Sequence, residues 1–137
     1  MPNRLPTSRE LEALKVLWEQ GQATVRDIYV GMRSDEQDLA YTTVLSLVQT
    51  MEKKGLVSRK SEGRGKTHVY SAKIRSQPTL RKLAGQFVDR VFDGMVSQYV
   101  VSALESKQPS DHELDELERM IAEAKQKRTR KQQAANE

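Results

Sequence analysis

The sequence predicts a mainly α-helical chain interrupted by one β-hairpin, and three observations carry that expectation. Apolar residues recur at helical spacing from Leu11 to Trp18, from Val25 to Met32 and from Val44 to Met51. Between Leu56 and Ser71 the pattern becomes two β-prone runs around Gly63 and Gly65. From Leu80 the helical period returns and continues in pieces to Ile121. With 137 residues, of which 36% are hydrophobic and 31% charged, the chain is the size of one average domain and can build only a small core.

The first helix opens on Thr7-Ser8-Arg9-Glu10, a capping-box pattern in which hydroxyl and carboxylate satisfy orphan amides. Leu11, Leu14, Leu17 and Trp18 follow on one face, and Gly21 supplies a left-handed stop. Thr24 and Asp27 repeat the capping signal before Val25, Ile28, Tyr29 and Met32, which make a second, shorter helix. The run Ser34-Asp35-Glu36-Gln37-Asp38 has no period and reads as a loop. A third helix spans residues 40–54, with Val44, Leu47, Val48 and Met51 as its stripe. Gly55 ends it just after Lys53 and Lys54, cations that suit the negative end of the dipole. Residues 56–60 and 67–71 are the strands of a hairpin whose tip is Ser61-Glu62-Gly63-Arg64-Gly65-Lys66. Three helices followed by a basic two-stranded ribbon form the winged helix-turn-helix arrangement, with the second and third helices as the helix-turn-helix and the hairpin as the wing.

Pro78 opens the second half. Leu80, Leu83, Phe87, Val91 and Phe92 keep a helical period, Gly94 interrupts it, and Tyr99, Val100 and Leu104 resume it. Ser110 and Glu113 cap a last helix carrying Leu114, Leu117, Met120 and Ile121. The expected division is a winged-helix domain over 1–74, a helical dimerisation region over 75–124 and a basic, frayed tail over 125–137. The second half is too short to fold around its own core. Its apolar residues therefore fold back on the first half or meet a second copy. A homodimer is preferred, because small DNA readers gain affinity and specificity from two half-sites. The residues expected at that contact are Leu83, Phe87, Val91, Phe92, Tyr99, Val100, Leu104, Leu117 and Ile121.

Composition narrows the function. The absence of cysteine excludes disulfides, thiolate metal sites and a thiol nucleophile, and His68 and His112 have no metal-ligand spacing. No cofactor or metal is expected. No apolar stretch reaches the ~18 residues of a membrane span, and residues 1–10 lack the apolar core of a secretory signal. No membrane partner and a cytoplasmic location are expected. The net charge of +4 and pI near 9.4 hint at an anionic partner. The charge is localised: Lys53, Lys54, Arg59, Lys60, Arg64, Lys66 and Lys73 face one acid, Glu62, in the middle segment. An acidic stretch over 105–123 and a basic one over 125–131 follow. Asp35, Glu36 and Asp38 cluster, but with no His, Lys or apolar wall nearby to tune them for catalysis.

In a helix-turn-helix the second helix of the pair enters the major groove of double-stranded DNA. Its solvent face here carries Thr42, Thr43, Ser46, Gln49, Thr50 and Lys53, which can bond base edges or phosphates. The same polar face is also what a merely solvated helix shows. The helix carries no Arg, so the commonest bidentate contact to guanine is missing, and phosphate contacts and DNA shape supply more of the recognition. Tyr41 suits a phosphate contact, a turn cap or a half-buried structural role. At the wing tip Gly63 and Gly65 permit positive φ, and Arg64 and Lys66 are expected to project along the DNA backbone or into a minor groove, the alternative being an ordinary hairpin turn with solvated charges.

The string Leu39-Ala40-Tyr41-Thr42-Thr43-Val44, continuing to Met51-Glu52-Lys53-Lys54-Gly55-Leu56-Val57, resembles the recognition-helix region of the penicillinase repressor (BlaI/MecI/CopY) family. Leu5-Pro6-Thr7, Glu10-Leu11, Leu17-Trp18 and the Glu- and Leu-rich pattern from Ser110 to Ile121 also fit. The resemblance implies a homodimeric winged-helix repressor on a dyad operator, with no enzymatic activity and with a link to antibiotic-resistance genes. In the antibiotic-sensing branch it also implies a sensor protease that cuts the dimerisation helices, usually at an Asn-Phe bond. Here the matching region reads Phe92-Asp93-Gly94-Met95-Val96 and has no such bond. The copper branch uses a C-terminal Cys hook, which a chain without cysteine lacks. Two other classes are compatible with the same elements: a winged-helix protein–protein interaction module without sequence-specific DNA binding, and a small nuclease or nucleotide enzyme, against which the lack of a convincing acid or metal cluster argues. A protein-binding module would show an apolar patch where a DNA reader shows polar side chains.

Overall fold

The structure is a computed structural model that describes residues 5–33, 39–62 and 67–136. Its elements in chain order are α1 (Ser8–Gln20), α2 (Val25–Met32), α3 (Tyr41–Lys54), β1 (Val57–Glu62), β2 (Thr67–Ala72), α4 (Ser76–Phe92), α5 (Val96–Lys107) and α6 (Asp111–Asn136). The chain forms two compact units, Met1–Phe87 and Val88–Glu137.

In the first unit the helix ends follow the local chemistry. Thr7 N donates to Glu10 Oε1 at 2.9 Å while Glu10 N donates to Thr7 Oγ1 at 3.3 Å. Thr24 and Asp27 make the same reciprocal pair, at 3.1 Å both ways. Gly55 closes α3 with φ +82°, a left-handed conformation that glycine takes without strain. The apolar stripes meet as a single core: Ala13, Leu14 and Leu17 from α1, Ile28 and Met32 from α2, Val44, Val48 and Met51 from α3, and Leu56, Val57 and Tyr70 from the hairpin. Leu11, Trp18 and Leu47 are only half-buried, at the edge of that core.

Three features of this unit come from tertiary contact alone. Ala23 joins the hairpin as a third, single-residue strand: its N–H donates to Tyr70 O at 3.0 Å and Tyr70 N donates back to Ala23 O at 2.8 Å. The indole Nε1 of Trp18 donates to Ile74 O at 2.9 Å and ties the segment after the wing to α1. Glu10 is 2% exposed, and its second carboxylate oxygen accepts from Lys54 Nζ at 2.8 Å, joining the start of α1 to the end of α3.

The sequence-based boundaries shift in the second half. α4 begins at Ser76, two residues before Pro78. Pro78 lies in the first helical turn, where its missing N–H leaves no bond unmade. The compact units divide within α4, between Phe87 and Val88, rather than after residue 74, so the first turns of α4 belong with the winged-helix unit. The expected frayed tail is also corrected: α6 runs to Asn136. Residues 124–136 are mostly Ala, Lys, Arg and Gln with no Gly or Pro, a composition of strong helix formers.

In the second unit α4 ends at Phe92, and the chain turns through Asp93 (φ +51°) and Gly94 (φ +81°) before α5. Gly94 N donates to Val88 O at 3.0 Å and Met95 N to Phe92 O at 2.8 Å. The rings of Phe92 and Tyr99 meet at 5.6 Å across this turn. No residue of α5 or α6 is buried.

Candidate nucleic-acid interface

The site begins with the anchoring of α3. Val44, Val48 and Met51 are fully buried, and this fixes the rotation of the helix. The opposite face presents Thr42, Thr43, Ser46, Gln49, Thr50 and Lys53 to solvent, all exposed. Thr50 Oγ1 donates to Ser46 O at 3.0 Å, so its proton is used inside the helix and its lone pairs and methyl group remain for a partner. α3 is preceded by Ala40, which offers no side-chain cap, whereas Thr7 and Thr24 cap α1 and α2.

Tyr41 is 40% exposed, and its ring meets Tyr29 edge to face at 5.7 Å and 76°. Tyr29 in turn lies 5.9 Å from the Arg33 guanidinium. This ring contact ties the start of α3 to α2.

The wing stands beside this face in antiparallel register, with Arg59 opposite Tyr70, Lys60 opposite Val69 and Ser61 opposite His68. Arg64 and Lys66, the two cations expected at its tip, lie outside the described residues. Arg59 Nε sits 3.5 Å from Glu52 Oε2, and Ser61 Oγ lies 3.2 Å from His68 Nδ1. Lys54, counted in the basic segment, turns away to Glu10.

Between α2, α3 and the wing lies an open recess of about 550 Å³, lined in part by Arg26, Tyr41, Gln49, Arg59, Thr67 and His68. Arg26, Thr67 and His68 escaped the sequence reading because three separate elements bring them together. One signal was present: Arg26 sits in the first turn of α2, where a cation opposes the helix dipole and has no local reason to be. Among the described residues no group of His, Cys, Asp or Glu could hold a metal ion, and no helix is long and apolar enough to cross a membrane.

Of the residues expected at a dimer contact, Phe92 and Tyr99 come together while Leu83, Leu104 and Leu117 are half-buried. Phe87, Val91, Val100 and Ile121 are exposed at 49%, 53%, 37% and 54%. None of the nine is buried.

Comparison with known proteins follows the same outline. The penicillinase repressor of Bacillus licheniformis is 25% identical over 119 residues, 87% of this chain and 91% of that protein. The methicillin resistance regulatory protein MecI of Staphylococcus aureus is 23% identical over 115 residues, 84% of this chain and 91% of its own length. Among solved structures, a MarR family protein from Bacillus stearothermophilus is 27% identical and superposes with a TM-score of 0.48, covering 93% of this chain and 78% of that one. The family described as "Penicillinase repressor" matches residues 6–123. The chain therefore belongs to the penicillinase repressor family of winged-helix regulators, which are transcription factors and not enzymes.

Proposed function

We propose that this DNA-binding repressor acts as a cytoplasmic homodimer. It holds a dyad operator through α3 and the wing, and it controls genes of the antibiotic-resistance type. The observation that carries the reading is the single polar row on α3, from Thr42 to Lys53, backed by a fully buried apolar stripe. Of the large apolar side chains of α3 only Tyr41 is exposed, Leu45 and Leu47 being half-buried, so this face lacks the apolar patch a protein-binding module would need. The names of the relatives, a penicillinase repressor and a methicillin resistance regulator, support the choice of target genes. Self-association is supported by the apolar residues left exposed in the second unit. Release by a sensor protease belongs to the same reading. The exposed turn Asp93-Gly94-Met95 between two helices is the kind of segment a protease opens, although it contains no Asn-Phe bond.

Selection from a pool of duplex DNA by the purified chain, followed by sequencing, tests the proposal. It predicts one palindromic site, and recovery of random sequence would overturn it. Within that experiment Thr43→Ala and Ser46→Ala are expected to relax base preference more than they weaken non-specific binding, since a good base contact carries about 1–3 kcal/mol of discrimination. Unchanged stringency in both variants would remove these positions from base reading.

Salt provides a separate measurement. If Lys53, Arg64 and Lys66 meet phosphates, each replacement by Ala should lower affinity for every sequence. Each should also flatten the log–log salt dependence by about one unit. A slope equal to that of the parent would detach the replaced residue from the DNA backbone.

A further inference from the structure

The last helix, α6, is 26 residues long, and none of its residues is buried. Its charges are sorted along its length. Asp111, Glu113, Asp115, Glu116 and Glu118 occupy the first part, and Lys125, Lys127, Arg128, Arg130 and Lys131 occupy the later part. Five acids in the first part are thus set against five cations in the later part, with Arg119 and Glu123 between them. Within each part like charges stand three or four residues apart, as at Asp111 and Asp115 or Lys127 and Lys131, a spacing that is unfavourable in an isolated helix. Local relief is small: Arg119 pairs with Glu116 and, at 3.6 Å, with Glu123. The five cations make no ion pair among the described residues. Leu114, Leu117, Ile121 and Ala124 recur every three and four residues, the seam of a two-helix coil, and Ile121 is 54% exposed.

We propose that α6 pairs antiparallel with α6 of a second copy, the acidic part of each helix lying along the basic part of the other. The proposal rests on the homodimer reading and adds to it a contact beyond residue 123, where the family match ends. Only the antiparallel orientation opposes unlike charges; a parallel pair would stack acids on acids and cations on cations. With the centre between Ile121 and Ala124, the seam of each helix meets the other. Leu117 then lies along the aliphatic stem of Arg128 and Leu114 along that of Lys131. DNA is the other polyanion that could take the cations. It would leave the five acids unneutralised a turn or two away and facing like charge, whereas a second α6 neutralises both parts at once.

The test uses the full chain without DNA, in sedimentation equilibrium at about 0.1 M salt, where surface charges still act over about 10 Å. Replacing Lys125, Lys127, Arg128, Arg130 and Lys131 with Glu should weaken dimerisation at least tenfold. Mixing that variant with one carrying Lys at 111, 113, 115, 116 and 118 should restore a heterodimer of parental strength. Replacing the five cations with Gln preserves helix-forming residues, and should weaken the dimer while removing most of its salt dependence. Parental dimerisation in both the Glu and Gln variants would overturn the pairing, and a concurrent loss of DNA affinity would assign the segment to DNA instead. A parental chain that is itself monomeric would overturn the homodimer reading rather than this contact alone.

Discussion

Val100→Asp is expected to turn the full-length chain into a monomer and to weaken operator binding by a factor on the order of 10²–10⁴. Val100 is 37% exposed on α5, and Val91, Met95, Val96 and Val101 of the same unit are 51–63% exposed. Five apolar side chains left exposed, in a unit whose helices α5 and α6 bury no residue, are the surface a second copy would cover. A carboxylate placed there would have to be desolvated when the second copy docks, a cost that exceeds what the lost methyl groups contributed. The penalty is counted twice, since a two-fold interface meets each substitution from both sides. The loss of DNA affinity follows from geometry: two linked heads bind a dyad with the second head at high effective concentration, and a monomer forfeits that gain. Phe92→Asp should act in the same direction, but it also removes the ring contact with Tyr99. Sedimentation and DNA titration on Val100→Asp decide the matter. A dimer of parental strength would sink this account of the second unit, and the circular dichroism of the winged-helix unit should be unchanged throughout.

The second large effect lies in the fold of the DNA-binding unit. Lys54→Met is expected to destabilise it by about 3 kcal/mol, a substantial share of the ~5–15 kcal/mol that holds a domain together. The Glu10 carboxylate is 2% exposed and has two partners: the Thr7 amide on one oxygen and the Lys54 ammonium, at 2.8 Å, on the other. Removing the cation leaves a buried anion with only its capping bond. Glu10→Gln should cost less, about 1–2 kcal/mol. The amide still accepts from Thr7, and Lys54, with a quarter of its side chain exposed, can turn to water. The double variant should be more stable than Lys54→Met alone, because no unpaired charge remains inside. Urea melts of the four proteins give the order directly. If Lys54→Met and Glu10→Gln cost the same, the pair is no more than a surface contact.

What could be read from residues alone is what depends on near neighbours in the chain. Thr7 with Glu10 and Thr24 with Asp27 announced helix starts because a capping box closes within three residues. Gly55 and Gly94 announced helix ends because positive φ is a single-residue demand. The stripe of Val44, Val48 and Met51 gave away the orientation of α3, since burying one face of a helix exposes the opposite one. The polar row from Thr42 to Lys53 was legible for that reason before any tertiary contact was known.

The frayed tail assigned to 125–137 shows a limit of that reading: with no apolar period, only the helix-forming residues spoke for continuation to Asn136. Other features needed the fold. Nothing local distinguishes the Glu10 of an exposed capping box from one whose second oxygen is buried against Lys54, 44 residues away. A single-residue strand at Ala23 has no period to detect, yet its two hydrogen bonds with Tyr70 root the wing against the start of α2. The recess shared by Arg26, Gln49 and His68 exists only because three elements converge. The sequence by itself thus determined the elements and the exposed face of the reading helix, through short-range hydrogen bonds and the periodicity of burial. The tertiary structure decided which charges are held inside, which remain on the face and what stands beside the wing, because those depend on distances that close only when the whole unit packs.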